Sequence, residues 1–163
     1  MNPSVEEQRK SHSWMMLGLL LAGSFLAAGV GTWGNFPNVR EWYPTLNKPS
    51  WTPPSGLFAP VWSTLYVMMA VAVWRAWRTA RAAGSLLRGY GVQLVLNALW
   101  SVLFFKFKQP VWGLVDIVVL LAVLLWMQRA LWRADRLAGL FWLPYVLWVA
   151  FATALNAAIV AMN

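Results

Sequence analysis

The sequence predicts an all-α integral membrane protein, a bundle of five transmembrane helices with a structured Pro/Trp-rich first loop. Three observations carry this. Five apolar runs each approach the ~20 residues that a helix needs to cross a ~30 Å hydrocarbon core. Sixty per cent of the residues are apolar and 11% charged, against about 25% charged in soluble domains, so polar groups could not cover a water-facing surface. The runs are continuous rather than alternating, which selects helices over the closed barrel, the other spanning structure that satisfies its backbone in lipid.

The five segments lie at about 14–33, 57–77, 87–105, 111–131 and 138–160, within a single membrane domain read over 1–163. The first carries Ala27-Ala28-Gly29, which resembles a signal-peptide cleavage region. Its ~20-residue run and a leader containing Glu6 and Glu7 favour a retained helix instead. The connection over 34–56 holds five prolines, which preclude one regular helix through it and stiffen the free loop. It reads either as a lid or as an ordinary connector. Ser55 is a candidate N-cap for the second helix. Pro110 suits the start of the fourth, and Pro144 interrupts the hydrogen-bond ladder of the fifth and should kink it.

The charge is +8, from 13 basic and 5 acidic residues. The bases cluster between apolar runs and no nucleic-acid motif is present, so anionic lipid headgroups fit them better and no nucleic-acid partner is expected. There is no cysteine, which excludes disulfides, thiolate catalysis and cysteine metal sites. The lone His12 is weak evidence for a metal, and no catalytic triad or nucleotide loop is present; no metal site and no conventional active site are expected. Nine bases fall on the side of the N-terminus, Arg75–Arg88 and Arg129–Arg136, and four on the side of Arg40, Lys48, Lys106 and Lys108. The positive-inside rule then places the N-terminus in the cytoplasm and the first loop outside.

Thirteen tryptophans stand out. Trp14, Trp33, Trp74, Trp77, Trp112 and Trp132 lie near the ends of runs and read as an interfacial belt. Trp62, Trp100 and Trp148 lie inside runs. Trp62 and Tyr66 share a helix face; so do Asn97, Trp100 and Ser101; so do Trp148, Ala152 and Asn156. Lipid is already apolar, so tryptophan needs no shelter from it, but an unpaired amide in hydrocarbon is costly. Asn97 and Asn156 should therefore face protein or a cavity and carry their stripes inward. Helical rise puts these stripes mainly in the outer half, beneath the first loop. They read equally as a pocket for a flat ligand, with Ala152 leaving room, or as polar and small-residue packing between helices. Asp116 is a functional candidate as an intramembrane carboxylate, or a structural one near Lys106 and Lys108.

One set of motifs is more specific. Residues 42–54, WYPTLNKPSWTPP, continue as Phe58-Ala59-Pro60-Val61-Trp62 and Leu65-Tyr66. Gln93-Leu94, Asn97-Ala98-Leu99-Trp100-Ser101 and Phe104-Phe105 follow, then Pro144-Tyr145 and Trp148 through Asn156. Together they resemble, in order and over residues 14–163, the signatures of the TspO/MBR family of tryptophan-rich sensory and translocator proteins. The resemblance implies a compact five-helix bundle, commonly a homodimer, in a membrane such as a bacterial cell membrane. It implies a pocket under the first loop for porphyrins such as protoporphyrin IX or haem, bound as ligand with no required cofactor. The ligand-binding residues implied or read from the stripes are Tyr43, Phe58, Trp62, Tyr66, Asn97, Trp100, Ser101, Asp116, Trp148, Ala152 and Asn156. Trp62 and Trp148 match tryptophans linked in some members to light- and oxygen-dependent porphyrin breakdown, the alternative function. A structural or regulatory partner needing no ligand is a third class. The tail Leu155–Asn163 has neither the Tyr nor the base of the animal cholesterol motif, so the resemblance does not extend to that motif.

The basic asymmetry predicts that a cysteine at Asn47 reacts with an impermeant maleimide on intact cells and one at Ser13 does not. Labelling at residue 13 alone would reverse the orientation.

Overall fold

The structure, a computed structural model, describes residues 3–33, 36–80 and 83–163. Helix α1 covers Pro3–Thr32, the short α2 Phe36–Glu41, α3 Phe58–Thr79, α4 Ala83–Ser101, α5 Pro110–Ala134 and α6 Arg136–Met162. Among the described residues, five helical stretches are long and apolar enough to cross a membrane: His12–Thr32, Ser55–Thr79, Ala83–Lys106, Pro110–Ala134 and Arg136–Met162. The protein is therefore an integral multi-pass membrane protein, as the composition requires. Its long helices close a ring in the order α1, α3, α6, α5, α4 and back to α1, with α3 also touching α4 and α5 across the middle.

Apolar side chains gain little by leaving lipid, so close packing and internal hydrogen bonds must hold such a ring. Its seams carry such bonds. The Ser24 hydroxyl of α1 shares a short hydrogen bond with the Tyr90 hydroxyl of α4 and lies 3.4 Å from the Tyr66 carbonyl of α3. Tyr90 in turn donates to the Leu20 carbonyl at 2.9 Å. The fully buried Trp142 of α6 donates its indole N–H to the Leu124 carbonyl of α5 at 3.3 Å. Met69, Ala72, Val73, Leu124, Met127 and Leu131 are sealed from solvent between these ties.

The two ends differ. At the end opposite the first loop, the Trp74 indole donates to the Ser13 carbonyl at 2.7 Å and stacks on Trp14 at 5.3 Å, with the Arg78 guanidinium over it at 4.9 Å. The single residue between α5 and α6, Asp135, is extended, and its side chain caps α6 by accepting from the Leu137 and Ala138 amides. The same carboxylate pairs with Arg75 of α3 at 2.9 Å.

At the other end the proline-rich loop is folded. Pro37 lies in the first turn of α2, where a missing N–H costs nothing. Short 3-10 turns follow at Tyr43–Thr45 and Ser55–Leu57. The Lys48 ammonium donates to the carbonyls of Tyr43, Pro44 and Leu46 at 2.7, 3.2 and 3.0 Å and lies 4.8 Å from the centre of the Tyr43 ring. Outside the spans, burial raises the Tyr43 phenol above its ordinary pKa. Asn47 and Asn163 exchange bonds of 3.0 Å and the Asn47 amide reaches the Met162 carbonyl at 3.2 Å, which pins the loop to the end of α6. Asn38 reaches the Phe105 carbonyl at 3.0 Å and pins it to the end of α4.

Three local readings are corrected or sharpened. Ser55 is not the N-cap of α3: it lies in the preceding 3-10 turn, and Leu57 occupies the cap without a side-chain bond. A Pro-Ser-Gly-Leu turn leads straight into the helix, so the side chain lies two residues too early. Pro144 sits inside α6 without ending it; its missing N–H relieves the Leu140 carbonyl of its usual partner. The apolar run after Ser101 widens into a π-helical turn at Val102–Lys106, closed by Phe107 N–H to the Val102 carbonyl at 3.0 Å. Lys108, at φ 53°, then turns the chain toward Pro110 in the left-handed conformation.

Asp135 both caps α6 and pairs with Arg75, so Asp135→Ala should cost about 1–2 kcal/mol of stability. Asp135→Asn keeps the capping oxygen and should cost less than about 1 kcal/mol. Thermal unfolding of the detergent-solubilised protein measures both; equal losses would show that the ion pair, not the cap, dominates.

Candidate functional site

On α3, Phe58, Trp62 and Tyr66 recur every four residues and form one stripe. The stripe meets α6, where Tyr145, Trp148 and the adjacent pair Phe151 and Ala152 follow one another a turn apart. Trp62 lies 5.5 Å from the ring of Tyr66 and 6.1 Å from that of Tyr145. Phe58 meets Trp148 edge-on at 6.0 Å; Trp148 continues to Phe151 at 5.7 Å, and Phe151 to Trp51 of the loop at 5.6 Å. An aromatic seam thus runs from the loop down to mid-membrane.

A string of polar groups lies at its foot. The Tyr66 hydroxyl donates to Asn97 Oδ1 at 3.0 Å, Asn97 Nδ2 donates to the Tyr145 hydroxyl at 3.2 Å, and Tyr145 donates to Gln93 Oε1 at 2.9 Å. Each of these four side chains is buried. Tyr145 and Gln93 are fully sealed, yet Gln93 Nε2 has no partner. Three helices therefore share one line of hydrogen bonds, with one donor unused at its end.

A second aromatic group hangs from the end of α4. Trp100 stacks on Phe104 at 5.4 Å and meets Phe105 at 5.8 Å; Tyr43 and Trp42 of the loop cover the same two rings at 5.7 to 6.3 Å. The π-helical turn makes this possible, because its extra residue per turn rotates Phe104 inward and Phe105 under the loop. Asn156 ties this group to α6 and α5. It accepts from the Trp100 indole at 3.1 Å and donates to the Pro110 carbonyl at 2.9 Å. Gly113 makes the approach possible, since a Cβ there would lie 3.2 Å from both Asn156 Oδ1 and the Phe104 ring.

The sequence stripes therefore separate into three roles. Phe58, Trp62, Tyr66, Asn97, Trp148 and Ala152 converge on the α3–α6 seam, with Trp62, Trp148 and Ala152 half-buried. Tyr43, Trp100 and Asn156 belong to the neighbouring cluster under the loop, where Asn156 works as a tie between helices. Ser101 leaves both: its hydroxyl donates to the Gly31 carbonyl of α1 at 2.7 Å. One residue of helix rotates by about 100°, which turns Ser101 to α1 while Trp100 faces α6. Asp116 is 6% exposed on the inward stripe of α5, and neither carboxyl oxygen makes a hydrogen bond or ion pair with any described residue. Among the described residues no group of three His, Cys, Asp or Glu could hold a metal ion.

Tyr145, Gln93, Phe151 and Trp51 also belong to the seam, outside the helix-face stripes of the sequence. Tyr145 lies three residues before Trp148 and Gln93 four before Asn97, so both were findable by the same periodicity. Phe151, three residues after Trp148, follows the same spacing; Trp51 does not, because nothing in a loop sequence states which helix it docks on.

Chemically, the seam offers flat aromatic faces with hydroxyl and amide groups at one end. It suits a planar, largely apolar molecule with a few polar edge groups.

Comparison with known proteins agrees in extent. The pattern of the TspO/MBR family matches residues 16–162. The chain is 38% identical over 148 residues to the tryptophan-rich protein TspO of Chlorobaculum tepidum, covering 88% of this chain and 94% of that one. It is 34% identical over 142 residues to a tryptophan-rich sensory protein of Cereibacter sphaeroides, covering 86% and 89%. To the translocator protein of Sus scrofa it is 38% identical over 120 residues, covering 71% of each.

Proposed function

The chain belongs to the TspO/MBR family, and from that premise we propose that it is a membrane receptor or sensor that binds porphyrins, such as protoporphyrin IX or haem, beneath the first loop. The observation that carries this reading is the seam itself: half-buried Trp62 and Trp148, edged by aromatic rings and underlain by the Tyr66–Asn97–Tyr145–Gln93 string. The indoles stack on the macrocycle, the string supplies polar partners for its edge, and the docked loop covers the entrance. The names of relatives as a sensory protein and a translocator are in keeping with ligand-linked signalling or passage across the membrane. In this reading the loop faces outward, as the distribution of basic residues predicts.

A second reading rests on two ring contacts of Trp62. Trp62 lies between two tyrosines, at 5.5 and 6.1 Å, which is a run of oxidisable rings beside the ligand. Such a run could pass an electron to an excited porphyrin in light and oxygen. Anaerobic titration in the dark, followed by illumination in air, separates the two. Binding without consumption of porphyrin supports the receptor alone. Consumption that slows in both Trp62→Phe and Trp148→Phe, at equal bound porphyrin, supports breakdown.

Ala152 tests pocket against packing. It lies one turn from Trp148 and one turn from Asn156, and it is half-buried. If it borders the ligand, Ala152→Phe leaves the fold intact and lowers porphyrin affinity about tenfold or more, ~1.4 kcal/mol. If it is a tight seam, the same change costs about 1–3 kcal/mol of stability. Thermal stability and porphyrin quenching on one preparation decide the matter. Lost stability with binding retained in the folded fraction rejects the pocket.

A further inference from the structure

At the end of the bundle opposite the first loop, the last turns of α5 form a recess of about 240 Å³ lined by Gln128, Arg129, Trp132 and Arg133. Its walls are fixed by α6. Gln128 Nε2 donates to the Gly139 carbonyl at 3.0 Å, and the Trp132 ring lies so close to Gly139 that a Cβ there would come within 2.5 Å of it. Helix α6 thus holds both side chains and leaves the two arginines, one turn apart, flanking the opening.

Among the described residues, neither arginine has an acidic partner. The nearest acid along the chain, Asp135, is taken by Arg75 at 2.9 Å and by the amides at the start of α6. Arg129 and Arg133 make no ion pair or hydrogen bond with any described residue, and both are exposed. The recess sits where the apolar run of α5 ends, at the level where a bilayer presents its phosphates, and an exposed indole lies beside it.

We propose that this recess is a binding site for the headgroup of an anionic phospholipid, with the phosphodiester held between Arg129 and Arg133 and the Trp132 indole against the glycerol region. Guanidinium forks match phosphate oxygens in pairs. Two unpaired arginines on one face of a helix at the membrane boundary recruit an anionic headgroup electrostatically. The lipid's chains then lie along the outward apolar face of α5, where Val118, Val119, Leu125 and Trp126 are exposed. Inorganic phosphate shares the headgroup's chemistry but lacks those chains, so it should bind far more weakly.

Native mass spectrometry of the full chain, with dioleoyl phosphatidylglycerol and dioleoyl phosphatidylcholine offered in equal amounts, tests the site. The wild type should retain phosphatidylglycerol in preference, and phosphatidylglycerol should raise its melting temperature. Arg129→Gln with Arg133→Gln should lower the preference about tenfold and abolish the thermal shift. Both side chains are exposed and unpaired, so this variant should melt at the wild-type temperature without lipid. Arg78→Gln with Arg88→Gln removes the same charge from α3 and α4, outside the recess, and should leave the preference intact. An equal loss in the two double variants would mean diffuse surface charge and overturn the site. So would a thermal shift reproduced by inorganic phosphate, or a wild type with no preference at all.

Discussion

The constraint on which the structure depends is that a polar group inside a bilayer must find its partner inside the protein. Apolar burial does not discriminate between lipid and a neighbouring helix, so hydrogen bonds and close contacts choose the neighbours. The line from Tyr66 through Asn97 and Tyr145 to Gln93 shows this most plainly. It joins α3, α4 and α6 at one depth and fixes their rotation. Once those rotations are fixed, the turns of α3 and α6 above the line bring Phe58, Trp62 and Trp148 together. The same four side chains thus settle the packing of the bundle and form the floor of the proposed ligand seam.

The loop depends on the helices in turn. Its prolines limit the shapes it can take, but its position comes from particular bonds. Asn38 holds it to the π-helical end of α4 and Asn47 to the end of α6. Lys48 spends its charge on three loop carbonyls and the Tyr43 ring. A base counted toward membrane orientation is therefore also an internal brace. The loop lies over both aromatic groups and touches each, through Trp51 on one side and Trp42 and Tyr43 on the other. Motion of the loop would expose both at once.

The two ends of the bundle use charge differently. Near the loop the described cations are few, and Lys48 is satisfied by carbonyls. At the opposite end Arg75 is paired to Asp135, Arg78 rests on Trp74, and Arg129 and Arg133 are left without partners. Pairing Asp135 with Arg75 strengthens the α3–α6 corner and, by using the local acid, leaves a cationic opening on α5. A single carboxylate thereby shapes both the corner and the surface beside it.

By itself, the sequence determined the class of solvent, the number of spans and the family. These follow from run length, charge content and ordered motifs, which need no contact between distant residues. It also determined that Asn97 and Asn156 turn inward, because the cost of a bare amide in hydrocarbon does not depend on its neighbours; both are buried. What it left open was the identity of partners. Asn97 and Asn156 read alike as sequence, yet one stands in the polar floor of the seam and the other ties Trp100 to the start of α5. Trp100 and Ser101 are adjacent in sequence and shared a stripe on paper, yet they face α6 and α1. Helical spacing fixes only angles within one helix. Which direction is inward, and toward which neighbour, was decided by the rotation of α4 within the ring, and that rotation is set by bonds to residues as far away as Gly31 and Tyr145.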